Sequence, residues 1–132
     1  MKKAFSLMLL LATILTFTAC SDDDELVHNM VGTTWSASYG NELFVIEFES
    51  KDKVSGFRAD ANGNIKGSVY SGTYSINGDE ITLSNFSIVN FYRFYFTSGT
   101  ISGNNMTLNY WWEMGAPNDK KRFDDVKTFH KR

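Results

Sequence analysis

From residue 33 to the C-terminus, apolar and polar residues alternate in short runs that Gly and Asn punctuate. A period of two belongs to β-strands with one buried face, and no window carries the stripe of an amphipathic helix. Residues 33–39 read as a first strand opening on Trp35, and residues 42–49 as a second. In the second, Phe44, Ile46 and Phe48 share one face while Leu43, Val45, Glu47 and Glu49 share the other. Strands at 53–59 and 65–70 flank Asp60-Ala61-Asn62-Gly63-Asn64, and strands at 72–76 and 80–83 flank Asn77-Gly78. Asn-Gly between alternating runs is a hairpin signal, because both residues accept the left-handed turn.

Residues 86–97 read as one long aromatic strand, with Phe86, Ile88, Asn90, Tyr92, Phe94 and Phe96 on one face and Arg93 and Tyr95 on the other. Runs at 100–102 and 106–113 follow, then a polar loop at 115–121 holding Pro117, and a closing strand at 123–131. Residues 76–83 and 101–108 echo each other, as tight hairpins that reuse one turn chemistry do. The pattern predicts an all-β fold: an eight- to nine-stranded antiparallel up-and-down meander closing into a barrel, which removes the sheet edges. A barrel of about eight strands is filled by side chains or holds one small ligand.

The first 30 residues follow a different pattern. Lys2-Lys3 precedes an uncharged, mostly apolar run at 4–19, then Cys20, Ser21 and the acids Asp22, Asp23, Asp24 and Glu25. Sixteen residues fall short of the roughly 20 that span a bilayer and fit a signal-peptide core. The run also fits an uncleaved N-terminal membrane helix or an ordinary secretory signal. Thr18-Ala19-Cys20 resembles the lipobox of bacterial lipoproteins. That resemblance implies a diacylglycerol thioether on the Cys20 thiol, cleavage before it, and acylation of the new amino group. Two or more acyl chains anchor stably, since each buried CH₂ contributes about 0.8 kcal/mol. The acids read as a solvated spacer. They also resemble the export signal of Bacteroidetes surface lipoproteins, which implies the outer membrane, lipid-anchored and facing outward. The chain thus divides into a signal peptide (1–19), an acidic tether (20–30) and a β-barrel domain (31–132).

Charge and cysteine change the picture only after that cut. The full chain carries 13 Lys+Arg and 15 Asp+Glu. Losing Lys2 and Lys3 takes the net charge from −2 to −4, and the four tether acids account for all of it. Residues 26–132 therefore balance to zero, and nothing electrostatic points to nucleic acid. The single cysteine sits at the cleavage point and makes no internal disulfide, so packing carries stability.

Candidate chemistry is sparse. Only His28 and His130 are present, so spacing builds no triad and no zinc site. Glu47 and Glu49 share a strand face that reads as a wet outer face. Asp119, Asp124 and Asp125 lack a calcium-loop signature. The expectation is a protein without catalytic residues, metal or cofactor. Aromatics make up 15% of the chain; they suit an apolar pocket or a core. The ligand-lining candidates are Phe44, Phe48, Tyr92, Phe94, Tyr110 and Trp112, with Arg93 a polar anchor if its face is the inner one. Tyr110-Trp111-Trp112 places one Trp outside, and Trp111 is the candidate to grip a sugar or a partner.

Gly32-Thr33-Thr34-Trp35, the stretch at 71–76 and the stretch at 99–108 together resemble the lipocalin-like domains of small Bacteroidetes lipoproteins. The resemblance covers most of residues 31–131 and implies an eight-stranded barrel of the calycin type. It says little of function, since most members of that group have none assigned. Two readings follow. One is a surface-anchored, non-catalytic binding module for a small hydrophobic or amphipathic molecule. The other is a structural or interaction protein of the cell envelope, with a side-chain-filled barrel that meets an envelope protein.

Overall fold

The computed structural model describes residues 29–132, so the stretch that resembles a lipobox, with Cys20 and the acids after it, lies outside the described residues. Among the described residues nine strands are present: β1 (Thr34–Tyr39), β2 (Glu42–Phe48), β3 (Lys53–Ala59), β4 (Ile65–Asn77), β5 (Glu80–Ser84), β6 (Ser87–Asn90), β7 (Tyr92–Ser102), β8 (Asn105–Met114) and β9 (Lys121–Lys131). Every pairing is antiparallel, and each joins sequence neighbours except β5 with β7 and the β9–β1 closure. The ring runs β1-β2-β3-β4-β5-β7-β8-β9 and returns to β1. This is the expected all-β, up-and-down barrel, eight strands around.

Two details differ from the sequence reading. Residues 65–77 form one strand rather than two, because Ser71 and Gly72 continue the ladder with β3 through Ser55 and Val54. The long strand expected at 86–97 is instead divided at Phe91 into β6 and β7, and β7 runs on through residues 100–102. Alternation survives this hairpin. Ile88 opposes Phe94 and Asn90 opposes Tyr92, so the inward set keeps its face while the chain reverses.

The barrel interior is one apolar cluster. Trp35, Phe44, Ile46, Phe48, Phe86, Ile88, Phe96, Met106, Leu108 and Phe129 are all at most 2% exposed. A second, smaller cluster of Val45, Phe57 and Ala59, with Leu43 against it, sits on the outward face of β2 and β3. The continuous run Leu43-Phe44-Val45-Ile46 is the sequence trace of that two-sided burial.

Closure is uneven. β1 pairs with β2 along its whole length but with β9 only through Ser36–His130 and Trp35–Lys131. β4 pairs with β5 only from Thr73 to Asn77. The barrel is therefore tightly stitched at the end where Met30, Phe48 and Phe129 lie. It is looser at the opposite end, where the β1–β2, β3–β4, β6–β7 and β8–β9 turns gather.

Candidate functional site

Five of the six ligand-lining candidates meet at the looser end. Phe94 is the hub: its ring centroid lies 5.6 Å from Phe44, 5.8 Å from Tyr110, 5.5 Å from Trp112 and 6.5 Å from Tyr92. Phe44, Phe94 and Tyr110 are buried, and Tyr92 and Trp112 are half-buried at the rim. Phe48 is apart, packed edge-on against Tyr74 at the stitched end. Sequence reasoning missed two members of the group. Tyr39 stacks on Phe44 at 4.7 Å, and Phe123 stacks on Trp112 at 5.6 Å. Both carry the inward alternation of their strands, Tyr39 two places beyond Ala37 and Phe123 opposite Trp112. Below them Phe96 touches Phe44, Tyr110 and Phe129, so rings fill the axis from rim to floor.

A polar cluster crowns one side of this rim. Arg58 Nη1 donates to Glu42 Oε1 at 3.0 Å, Lys66 Nζ lies 3.0 Å from Oε2, and Asn90 Nδ2 reaches Oε1 at 3.4 Å. Lys66 first, and then Arg58, hold the Glu42 carboxyl below its ordinary value, against an opposing push from partial desolvation. Tyr110 moves the other way: burial raises its phenol first, with Asp125 and Tyr39 adding to the shift.

Arg93 does not face the lumen. It lies 5.7 Å over the Tyr70 ring and donates to Ser87 Oγ at 2.8 Å. Trp111 points outward as expected, but it is half-buried rather than free. Tyr95 stacks on its ring at 4.2 Å with planes 16° apart, and Arg122 lies 4.3 Å over it while bonding Asp124 at 3.0 Å. The indole is clamped, and its edge is what it offers.

That edge borders an opening in the wall. β5 ends at Ser84, Asn85 takes a left-handed φ of 53°, and the chain resumes as β6 displaced from the line of β5. On the facing strand, β7 slips register against β8 between Asn109 and Tyr110. A cleft of about 360 Å³ lies here, with Leu83, Phe86 and Phe96 as its apolar lining and Asn85, Ser87, Tyr95, Thr97 and Trp111 contributing polar groups and aromatic edges. Its volume is within the range of small-molecule sites, which combine an apolar floor with a few polar groups. Of its residues the sequence offered Trp111 as a contact and placed Phe86 and Phe96 on an inward face; Asn85, a residue type tolerant of left-handed backbone, was the available sign of a break. A larger hollow of about 500 Å³ lies by Asn29, Met30, Lys51 and Tyr74. There the Tyr74 hydroxyl, its pKa raised by burial and then by Asp52, already donates to the Ser50 carbonyl at 2.6 Å.

Among the described residues no three His, Cys, Asp or Glu side chains gather closely enough to hold a metal ion. His130 is engaged by Asn105 at 2.8 Å, Glu49 by Lys53 at 3.6 Å and Asp124 by Arg122.

No family model matches the chain, and no curated protein does. Among solved structures it is similar to the one described as "Crystal structure of rhizavidin-biotin complex". The two share 18% sequence identity over 80% of this chain and 97% of that one, with a TM-score of 0.47.

Proposed function

We propose that this protein is a lipid-anchored, non-catalytic binding module that takes a small amphipathic molecule in the wall cleft between Asn85 and Trp111. The observation that carries the reading is the cleft itself: about 360 Å³ where two adjacent strands both depart from regular pairing. Its apolar floor would take a hydrocarbon face of the ligand. Asn85, Ser87 and Thr97 would hold its polar edge, and the clamped Trp111 supplies a rigid wall at small entropic cost. The lumen is the weaker candidate because its rings already satisfy one another. Cys20 would tether the module by acyl chains to the outer membrane, facing outward, with the acids as spacer. Native mass spectrometry of the mature protein extracted from its envelope tests this. One small molecule per chain is expected, and Thr97→Trp, which fills the cleft, releases it. A wild-type protein that flies bare contradicts the reading.

A second reading, an interaction protein with a filled barrel, is favoured by three apolar side chains at the looser end. Ile65 is 55% exposed, Val69 52% and Phe91 88%. Photo-crosslinking from position 91 in intact cells would capture one envelope protein if that surface is used.

A further inference from the structure

β6 does not lie in the barrel wall as its neighbours do. Its ladder runs along β7 only, and among the described residues the facing half of β4, residues 65–72, pairs with β3 alone. Instead, the chain passes across the inner face of the wall. A Cβ built on Gly72 would stand 2.9 Å from the Ser84 carbonyl oxygen, 3.0 Å from that of Asn85 and 2.7 Å from Phe86 Cβ. One built on Gly56 would stand 2.5 Å from the Phe86 ring and 3.0 Å from Ile88 Cδ1. Gly56 opposes the inward Ile46, and Gly72 opposes the inward Val54, so both glycines face the lumen. Two missing side chains on adjacent strands make a recess, and Phe86, 2% exposed, lies in it. At the far end Asn90 hooks onto Glu42 of β2.

The ends of this short strand are strained. Asn85 at φ 53° and Phe91 at φ 65° flank β6 and are the two non-glycine residues with positive φ among the described residues. Phe91 is costlier than Asn85, because a bulky side chain tolerates that region poorly. Its ring is also exposed, so no burial offsets the strain.

We propose that the Gly56–Gly72 recess is a second binding site, for a flat apolar ring, and that β6 occupies it with Phe86 as a built-in stand-in. The ring of a ligand would lie between β3 and β4 where the Phe86 ring lies now. β6 would withdraw by turning at Asn85 and Phe91, which releases the backbone strain at both. The free half-edge of β4 stands beside it. This site opens on the inside of the wall while the cleft opens on the outside; the two share the segment Asn85-Phe86-Ser87, so occupancy of one excludes the other, and the inference goes beyond the function proposed above.

The test uses the mature lipidated chain in nanodiscs, with naphthalene as the probe. Empty nanodiscs supply the partitioning baseline, and hydrogen–deuterium exchange is read by mass spectrometry. Wild type is expected to exchange the amides of residues 87–90 well before those of residues 105–110, and to bind naphthalene saturably. The doubly substituted Asn85→Gly/Phe91→Gly chain holds the same turn without strain and so favours the occupied state. Its affinity for naphthalene should fall about tenfold, and exchange at 87–90 should slow in step. Phe91→Asn, which relieves one hinge only, should fall between the two. Exchange at 87–90 that occurs only with the rest of the barrel overturns the inference, as does unchanged affinity in the glycine variant. Naphthalene that protects residues 95–97 and 111 while leaving β6 in place also overturns it, and leaves the outer cleft as the site.

Discussion

At the scale of single residues, the most telling group is Glu42. Two cations and an amide converge on one carboxylate at the rim, and its pKa is held low, Lys66 acting first and Arg58 second. A carboxyl depressed in the folded state contributes stability that is complete above its ordinary value. That contribution is lost as pH falls through the folded value. The urea midpoint of wild type should therefore exceed that of Glu42→Gln near neutral pH, and the gap should close as pH falls below the ordinary carboxylate range. A gap that widens on acidification would contradict the assignment. None of this was legible in the sequence, where Glu42, Arg58 and Lys66 are polar residues at strand ends and only the register brings them together. Trp111 was legible in part. Alternation sent it outward, but a period of two says nothing about the neighbours on that face, and Tyr95 and Arg122 took up both sides of the ring.

At the scale of elements, alternation recovered most of the strands, and the failures share one cause. Period and turn chemistry locate a strand where the chain stays in register. They do not register a bulge or a hairpin that preserves facing, as the reversal at Phe91 does. The aromatic group on β2, β7 and β8 was found because its members alternate within each strand. It is energetically central: Phe94→Ala should cost about 3–5 kcal/mol by removing a buried ring from the middle of the group. Trp111→Ala, which loses a stack and a cation contact on the outer face, should cost roughly 1 kcal/mol. Comparable losses by chemical denaturation would mean that the load is not carried inside. Closure depends on less. β9 meets β1 through two residue pairs, with Arg132 N donating to the Thr34 carbonyl at 2.8 Å. Deleting residues 129–132 removes this seam together with Phe129, which is fully buried. We expect a chain that retains strand content by far-ultraviolet circular dichroism but melts without a sharp transition.

At the scale of the whole molecule, the protein is a barrel whose axis is filled by its own rings and whose wall, besides the short β9–β1 seam, is interrupted where β5 gives way to β6. That interruption, not the lumen, is where a small molecule would find both apolar floor and polar edge. The proposed anchor belongs to this scale too. Cys20→Ser should abolish labelling by fatty acid and leave an unprocessed precursor, while a variant that still labels would remove the tether from the account. Where a ligand sits can be read from the three Trp indoles, which report three places: Trp35 at the stitched end, Trp112 at the rim of the lumen, Trp111 at the cleft. Two-dimensional NMR of the mature protein in nanodiscs, titrated with a small-molecule extract of the envelope, reads all three at once. The Trp111 indole N–H is expected to shift saturably while Trp35 and Trp112 stay put. A shift confined to Trp112, or none at all, would contradict it.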